Sequence, residues 1–344
     1  GGQSVAVSVP TLHLRPRQKI YWRVRYWNQD ERPSAWSEAA TLETGLLTNA
    51  DWRGQWVGAP VPTDTTSFGR PAFRPVYLRR TFALAELPTA ARLYATAKGV
   101  FRAYLNGQRI GEDEMAPGWT PYEHRIETLT YDVTDLLQTG ENVLAVELAE
   151  GWYAGRLGYS KALWPQNGAP RFLAQLESNG QVLAVSDTSW RYTDRGPLTT
   201  SSIYEGAEMT QDPAFAAWNT LDFADTDWSP VLTEAREETV RLEPKRHLPV
   251  RNMTELPTKV VDEREPGRTV FDLGQNMVGV PRLRVPLRAG DTLLVRFAEM
   301  LTRDGEIYTE NYRSARSEDR FVATVDGPID WTPAFTFHGF RYVE

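Results

Sequence analysis

Apolar residues recur at every second position along this 344-residue chain, and turn residues interrupt the pattern at short intervals. Ile20, Trp22, Val24 and Tyr26, for example, alternate with Tyr21, Arg23 and Arg25, which is typical of a strand with one buried face. No helix-length amphipathic segment, sequence repeat or low-complexity tract breaks this pattern. The sequence therefore predicts an all-β fold made of tandem β-sandwich and jelly-roll domains.

The composition argues against several classes of function. A formal net charge of -7 disfavours a nucleic-acid or anionic-membrane partner, because neither polyanion is attracted to such a surface. The absence of cysteine excludes disulfides, thiolate metal sites and a cysteine nucleophile. No apolar run approaches the roughly 20 residues that cross a bilayer, and the chain from Gly1 onward lacks the regions of a signal peptide. A soluble protein is expected, and the choice between cytoplasm and export stays open.

Turn signals divide the chain into three units. Residues 1–48 resemble the closing strands of a fibronectin type III domain, and since such sandwiches need roughly 100 residues, we expect the front of this domain to be missing. Residues 49–240 are predicted to form a jelly roll, and residues 241–344 a β-sandwich. The proline-containing stretch Glu243 to Pro257 is interpreted as the linker into the third unit.

Two kinds of turn are predicted within these units. Asn106-Gly107 and Asn179-Gly180 supply the positive φ angles that tight hairpins of the second unit require. In the third unit, a turn at Gly290-Asp291 is predicted to return the chain from strand 283–287 to strand 293–297.

Five motif blocks carry a family resemblance. They are APGWTPYEHR (Ala116 to Arg125), EGWYAGRLGY (Glu150 to Tyr159), FDLGQNMVGVP (Phe271 to Pro281), RFAEMLTRDGEIYTENYR (Arg296 to Arg313) and FTFHGFRYVE (Phe335 to Glu344). The first two resemble the amino-terminal jelly-roll domain of bacterial α-L-rhamnosidases. The last three resemble the concanavalin-like β-sandwich that directly precedes the catalytic barrel in that family.

The resemblance implies an inverting glycosidase whose two carboxylates, roughly 6.5–9.5 Å apart, lie in an (α/α)6 barrel. No segment here resembles the acidic loop of that barrel, so we assign no catalytic residue. The chain is expected to be the non-catalytic front part of an enzyme that releases terminal α-L-rhamnose. Its implied partners are rhamnose-containing glycosides and the C-terminal barrel of the same polypeptide. Two alternatives stay open, a free-standing carbohydrate-binding protein and a purely structural scaffold.

The candidate site in this chain is a sugar-binding loop that follows the predicted strand 143–148. Aromatic rings there would stack on a pyranose, while charged groups would hydrogen-bond its hydroxyls. The predicted residues are Trp119, Glu150, Trp152, Tyr153 and Arg156. The alternative is that this motif only folds the loop, with its glycines meeting turn angles.

No metal or other cofactor is predicted. Some family members bind rhamnose through a calcium ion, and the resemblance places an acidic and amide pair near Lys98 and Gly99 and an amide at Glu150. This chain departs from that pattern at both places, and a lysine ammonium repels a cation.

Other acidic residues and the histidines have simpler explanations. Asp222, Asp225 and Asp227 have a spacing that suits turns around buried aromatics, with a calcium site as the alternative. Glu306 and Glu310 flank Tyr308 on a hairpin arm, which leaves open a role at the edge of a neighbouring domain's cleft. The four histidines are isolated, and the one at position 338 is predicted to be packed in the core.

Overall fold

The computed structural model describes residues 12–60, 73–157 and 168–344. Its strands are β1 Lys19–Trp22, β2 Ala40–Glu43, β3 Trp56–Gly58, β4 Val76–Leu84, β5 Arg92–Lys98, β6 Val100–Leu105, β7 Gln108–Ile110, β8 Arg125–Asp132, β9 Gly140–Ala149, β10 Arg171–Ser178, β11 Gln181–Val185, β12 Arg191–Thr193, β13 Leu198–Ser202, β14 Gly206–Thr210, β15 Ser229–Pro230, β16 Leu232–Glu234, β17 Arg241–Pro244, β18 Lys259–Glu265, β19 Arg268–Gly279, β20 Leu283–Leu287, β21 Thr292–Ala298, β22 Glu318–Val322, β23 Gly327–Trp331 and β24 His338–Val343. In the same residues, the helical elements are α1 Gly151–Ala154 and the 3-10 turns Asn49–Asp51, Thr134–Leu136, Pro213–Phe215 and Glu310–Tyr312. The predicted all-β fold is confirmed.

The second unit is a two-layer sandwich. One layer has the strand order β16-β3-β10-β5-β8-β17, with β11 also paired to β10, and the other has the order β15-β12-β4-β9-β6-β7. Leu78 and Val146 of the second layer meet Ala95 and Phe172 of the first in one buried core. Each large apolar side chain buried there stabilises the fold by roughly 1.5–3 kcal/mol.

Strand β9 is apolar on both faces because both are covered. Leu144 and Val146 point into the sandwich core, while Ala145 on the opposite face packs with Trp218 and Phe335. The outer face of this sheet is therefore itself an interior surface, shared with a segment of the third unit.

The hairpin turns of the second unit follow the sequence prediction. Asn106 and Gly107 have φ angles of 51° and 84°, and Asn179 and Gly180 have φ angles of 48° and 81°. The first turn joins β6 to β7 and the second joins β10 to β11. Asparagine and glycine tolerate this left-handed region better than other residues, which is why the sequence signal was reliable.

The hairpin β13–β14 leaves the second unit and joins the main sheet of the third. That sheet has the order β13-β14-β22-β21-β24-β19-β18, and β14 runs parallel to β22 with Met209 opposite Phe321. The span that we assigned to the jelly roll therefore supplies two strands to the next unit. The two units share a sheet and are not connected by a linker alone.

A buried polar chain fixes this hairpin to the third unit. The backbone N–H of Ala207 donates to Asp319 Oδ1 over 2.8 Å, and Asp319 Oδ2 lies 3.0 Å from His338 Nε2. His338 Nδ1 in turn lies 2.9 Å from Ser317 Oγ, and the imidazole stacks on Phe297 with centroids 3.9 Å apart. His338 is thus a packed core residue, as predicted, and every polar atom of its ring has a partner.

The predicted return of strand 283–287 on strand 293–297 is wrong. β20 pairs with β23 in a separate two-stranded sheet, whereas β21 pairs with β22 and β24 in the seven-stranded sheet. Leu283 lies between these layers and contacts both apolar clusters of the unit. The turn at Gly290 therefore carries the chain from one layer to the other, which sequence alternation alone does not distinguish from a hairpin.

In the first unit, the predicted half-buried strand over residues 20–26 is only partly present. The strand β1 ends at Trp22, and Trp22, Val24 and Tyr26 are all exposed. Their side chains stay in solvent because β1 and β2 form a two-stranded sheet with no second layer over it in the described residues. Arg17 and Arg92 tie this unit to the second through ion pairs with Glu177 and Glu43.

None of the helices in the described residues has the length and apolarity that crossing a membrane requires.

Candidate functional site

The predicted sugar-binding loop begins where β9 ends. Glu150 is the N-cap of the single helical turn α1, and Gly151 has a φ angle of 49°. A Cβ at Gly151 would lie 2.6 Å from Val100 Cγ1. A glycine is therefore required here for the chain to turn tightly against β6, so the glycine of the EGW motif has a structural role.

Three aromatic rings meet at this loop. Trp119 and Trp152 are parallel, with an interplanar angle of 2° and centroids 6.4 Å apart, and the Phe337 ring lies 6.4 Å from that of Trp152 at an angle of 41°. Trp152 is half-buried against two apolar clusters of the second unit, one of which also includes Ala334 and Phe335 of the third unit. Trp119, by contrast, is 56% exposed. The arrangement is an aromatic platform whose outer ring faces solvent and whose inner ring is held by packing.

The backbone under Trp119 is fixed by local hydrogen bonds. Tyr122 donates its hydroxyl to the Gly118 carbonyl over 3.3 Å, and Thr120 donates to the Arg125 carbonyl over 2.7 Å. The ring of Tyr122 also packs edge-on against Tyr153, with centroids 5.1 Å apart. Trp119 is thus presented on an ordered loop, which lowers the entropy cost of binding a ligand on its face.

Tyr153 and Arg156 lie in the interior of the protein. Tyr153 is buried, and this burial, together with the nearby negative charges of Glu237 and Glu234, raises the pKa of its phenol to about 12. Arg156 pairs with Glu205 over 3.2 Å and also donates to the Ser314 carbonyl. The contacts of Arg156 join the site loop to the β13–β14 turn and to the third unit.

Glu150 is buried at the base of the same loop. Burial raises the pKa of this carboxyl to about 8; hydrogen bonds from the Ser202 hydroxyl and the Phe73 N–H oppose the increase, and the charge of Glu205 adds to it. The side chain is therefore mostly protonated and neutral at pH 7. A protonated carboxyl has the shape and polarity of an amide, which is the group that the family resemblance places here.

A pair that sequence reasoning missed lies beside the platform. His247 Nε2 is 2.7 Å from Glu127 Oε2, and its Nδ1 is 3.1 Å from the Leu248 carbonyl. A Cβ at Gly118 would lie 3.9 Å from the His247 ring. The two residues are 120 positions apart and belong to β8 and the inter-unit segment, so no sequence signal indicated their contact.

The residues considered for metal binding have other partners. The Lys98 ammonium pairs with Glu237 and lies 5.1 Å from the centre of the Trp56 ring. Asp225 pairs with the buried Arg79 over 3.5 Å. Across the described ranges, no group of three or more histidine, cysteine or acidic residues has a geometry that could hold a metal ion.

Glu306, which we considered for a cleft edge, pairs with Arg268. Arg268 also pairs with Glu344 over 2.7 Å. This ion-pair cluster connects the 303–317 arm to β19 and to the last residue of the chain.

Three family models match the chain. They are described as the Rha78A-like N-terminal immunoglobulin domain over residues 1–48, the alpha-L-rhamnosidase N-terminal domain over residues 86–254, and the bacterial alpha-L-rhamnosidase concanavalin-like domain over residues 262–344. Their order along the chain is the order of the three units predicted from the sequence.

Curated and solved relatives agree with these models. An alpha-L-rhamnosidase of Formosa agariphila is 45% identical over 348 residues, which cover 99% of this chain and 38% of that protein. The crystal structure of an Aspergillus terreus rhamnosidase superimposes with a TM-score of 0.89 at 35% identity, covering 100% of this chain and 40% of the other. A Streptomyces avermitilis enzyme, crystallised with L-rhamnose, gives a TM-score of 0.85 at 27% identity, covering 96% and 48%.

The chain belongs to the bacterial α-L-rhamnosidase family. Within this rhamnosidase family it corresponds to the N-terminal β-domains, as the motif resemblance predicted. It spans less than half the length of the curated rhamnosidases that it matches. The first family model describes an immunoglobulin domain where we predicted a fibronectin type III-like one, and the latter stays a prediction.

Proposed function

We propose that this chain is the accessory part of an enzyme that hydrolyses terminal α-L-rhamnose from glycosides. In this proposal, the catalytic carboxylates belong to an (α/α)6 barrel in the same polypeptide. The observation that carries it is the coverage of the relatives: alignments include 96% or more of this chain but only 36–38% of two curated rhamnosidases that are 44–45% identical to it. The remaining length of those enzymes leaves ample room for a catalytic domain.

The role proposed for the third unit is to support that barrel. Its sheet is continuous with the β13–β14 hairpin of the second unit, so the two units would present one rigid surface to a neighbouring domain. A rigid support is what a catalytic domain needs if an accessory sugar site is to stay at a fixed distance from it.

We also propose that the Trp119 platform binds a neutral sugar, with L-rhamnose as the ligand to test first. Sugar sites combine apolar and aromatic surface with a few polar groups that fix orientation. Trp119 offers an exposed indole ring, Trp152 lies parallel to it, and His247 lies close by as a polar group. The Streptomyces avermitilis relative was crystallised with this sugar, which supports the choice of ligand. The domain boundaries 1–48, 49–240 and 241–344 remain proposals of the same kind.

Hydrolysis of 4-nitrophenyl α-L-rhamnoside tests the accessory role. We expect no turnover by the 344-residue chain and turnover by a polypeptide extended to the length of the curated relatives. Turnover by the short chain would contradict the proposal, and Glu306 and Glu310 would then be the first carboxylates to replace. Absence of turnover in both proteins would contradict the assignment of rhamnosidase activity to the parent.

Replacing Trp119 by alanine tests the platform. We expect L-rhamnose binding, measured by calorimetry or by NMR titration, to weaken at least tenfold, which corresponds to about 1.4 kcal/mol. The melting temperature should not change, because this ring is mostly exposed. Trp22→Ala, which removes a tryptophan that is 50% exposed in the first unit, is the matched control and should leave binding unchanged.

The outcomes of this titration also separate the alternatives. Binding that is lost only in Trp119→Ala supports the platform. Binding that survives this change places the sugar elsewhere, while a wild-type chain that binds no sugar favours the purely structural scaffold. If this chain binds sugar and the extended polypeptide hydrolyses no rhamnoside, the results favour a free-standing carbohydrate-binding protein.

A further inference from the structure

The first unit carries a ladder of cations and aromatic rings that the proposed function does not use. The Arg25 guanidinium lies 4.8 Å from the centre of the Trp27 ring and 4.6 Å from that of Trp36, so both indoles contact it. Arg23 lies 6.0 Å from the same Trp36 ring, and the Lys19 ammonium lies 5.6 Å from Tyr21. We call these six residues the cation–aromatic ladder.

The ladder is exposed to solvent. Trp27 and Trp36 are 56% and 53% exposed, and Tyr21 is 67% exposed. A tryptophan face attracts a neighbouring guanidinium through the negative charge of its π-face. These contacts place the two guanidinium groups against the indole rings, and both arginines are exposed.

The two ladder arginines also lack acidic partners. Neither Arg23 nor Arg25 forms an ion pair or a side-chain hydrogen bond with the residues that the structure describes. Other arginines at this unit differ: Arg17 pairs with Glu177 and Asp51, and Arg92 of the second unit makes two hydrogen bonds to Glu43 of the first. Among the described residues, the charges of Arg23 and Arg25 are thus not neutralised by ion pairs, although the chain as a whole has a net charge of -7.

We propose that the cation–aromatic ladder binds an anionic polysaccharide that bears carboxylate or sulfate groups. A guanidinium presents a planar fork of N–H donors that matches either anion with two parallel hydrogen bonds. The adjacent indole and phenol faces offer apolar surface to the C–H groups of the sugar rings between the charges. Positive charge on an otherwise acidic protein is complementary to such a chain and would concentrate it at this unit.

This site is separate from the Trp119 platform in both position and chemistry. The ladder lies in residues 19–36 and recognises charge, whereas the platform lies in the second unit and recognises an uncharged ring. The inference goes beyond the proposed function and does not depend on it. A protein that binds the neutral sugar but not the anionic polysaccharide, or the reverse, shows which of the two proposals fails.

Affinity electrophoresis and calorimetry with three polymers test the ladder. Polygalacturonate supplies carboxylates, dextran sulfate supplies sulfates, and unmodified dextran is the neutral probe. We expect binding to at least one anionic polymer and none to dextran. The double variant Arg23→Gln, Arg25→Gln should weaken that binding at least tenfold, and binding should fall steeply as salt rises from about 0.05 to 0.5 M.

Two further variants make the result specific. Arg25→Lys keeps the charge but removes the fork, and we expect it to retain only part of the affinity. Arg288→Gln removes an exposed arginine of the third unit and should leave binding unchanged. The ladder residues are at the surface, so far-UV circular dichroism of all variants should match the wild type.

Several results would overturn the proposal. They are equal binding of dextran, no binding of either anionic polymer, unchanged binding in the double variant, and an equal loss in Arg288→Gln. The preference between polygalacturonate and dextran sulfate decides whether the natural anion is a carboxylate or a sulfate ester.

Discussion

Glu150→Gln is expected to reduce the loss of stability that the wild-type protein shows when the pH rises from about 4.5 to about 8. The pKa of this carboxyl is raised from 4.5 in the unfolded chain to about 8 in the folded protein. The folded state therefore holds its proton more tightly than the unfolded state. The contribution of this proton to stability is complete below pH 4.5. It is lost progressively as the pH rises from about 4.5 to about 8.

The size of the effect follows from the shift. One pKa unit corresponds to about 1.4 kcal/mol, so the burial of Glu150 makes the wild type less stable by a few kcal/mol, at most about 5, at pH 8 and above. Glutamine keeps the shape and polarity of the protonated carboxyl but does not ionise. The variant should therefore match the wild type near pH 4.5 and exceed its free energy of unfolding by that amount near pH 9.

Chemical denaturation at pH 4.5, 6, 7.5 and 9 measures this difference. Glu86→Gln, which neutralises an exposed carboxylate of the second unit, is the matched control and should change the profile little. If the stability of Glu150→Gln and of the wild type fell in parallel across the four pH values, the proton at Glu150 would not be the cause. The Ser202 hydroxyl and the Phe73 N–H would then have to hold an ionised carboxylate.

Gly206→Ala is expected to destabilise the protein by at least about 3 kcal/mol more than an alanine substitution at an open glycine with the same backbone angle. Gly206 opens β14 with a φ angle of 94°, and a Cβ there would lie 2.0 Å from the backbone oxygen of Glu318. This oxygen belongs to β22, the strand beside β14 in the third unit. A backbone atom cannot move aside as a flexible side chain can, so the two strands would have to separate.

Gly290 provides the control for the backbone angle. Its φ angle is also 94°, but a Cβ at this position meets nothing within 4 Å. Gly290→Ala should therefore cost only the roughly 1–2 kcal/mol of placing an L-residue in the left-handed region. Equilibrium unfolding of both variants gives the difference, and equal losses would mean that the junction accommodates the extra methyl group.

Gly206→Ala also tests the unity of the second and third units. Gly206 lies next to Ala207, whose N–H donates to the Asp319–His338–Ser317 chain. If the shared sheet makes the two units one cooperative body, the variant should still unfold in a single transition at lower denaturant. Two separated transitions would show that the units unfold independently once the hairpin is displaced.

Features that depend on neighbouring residues could be predicted from the amino-acid sequence. Alternation with period two indicated strands, and Asn106-Gly107 and Asn179-Gly180 indicated hairpin turns, because positive φ angles are a local preference of these residue types. The motif blocks likewise indicated the rhamnosidase family, because each of them is a continuous run of residues. They also directed attention to the loop that carries Glu150 and Trp152.

Strand pairing and the exposure of individual side chains became apparent from the three-dimensional packing alone. The β13–β14 hairpin joins the third unit, and β20 and β21 lie in different sheets, because strand alternation is the same for any partner that covers the apolar face. Glu150 is buried while Trp119 is exposed, although both lie in motifs rich in aromatic residues. That difference depends on what packs against each residue from distant parts of the chain, such as Ser202 beneath Glu150, and local sequence carries no record of it.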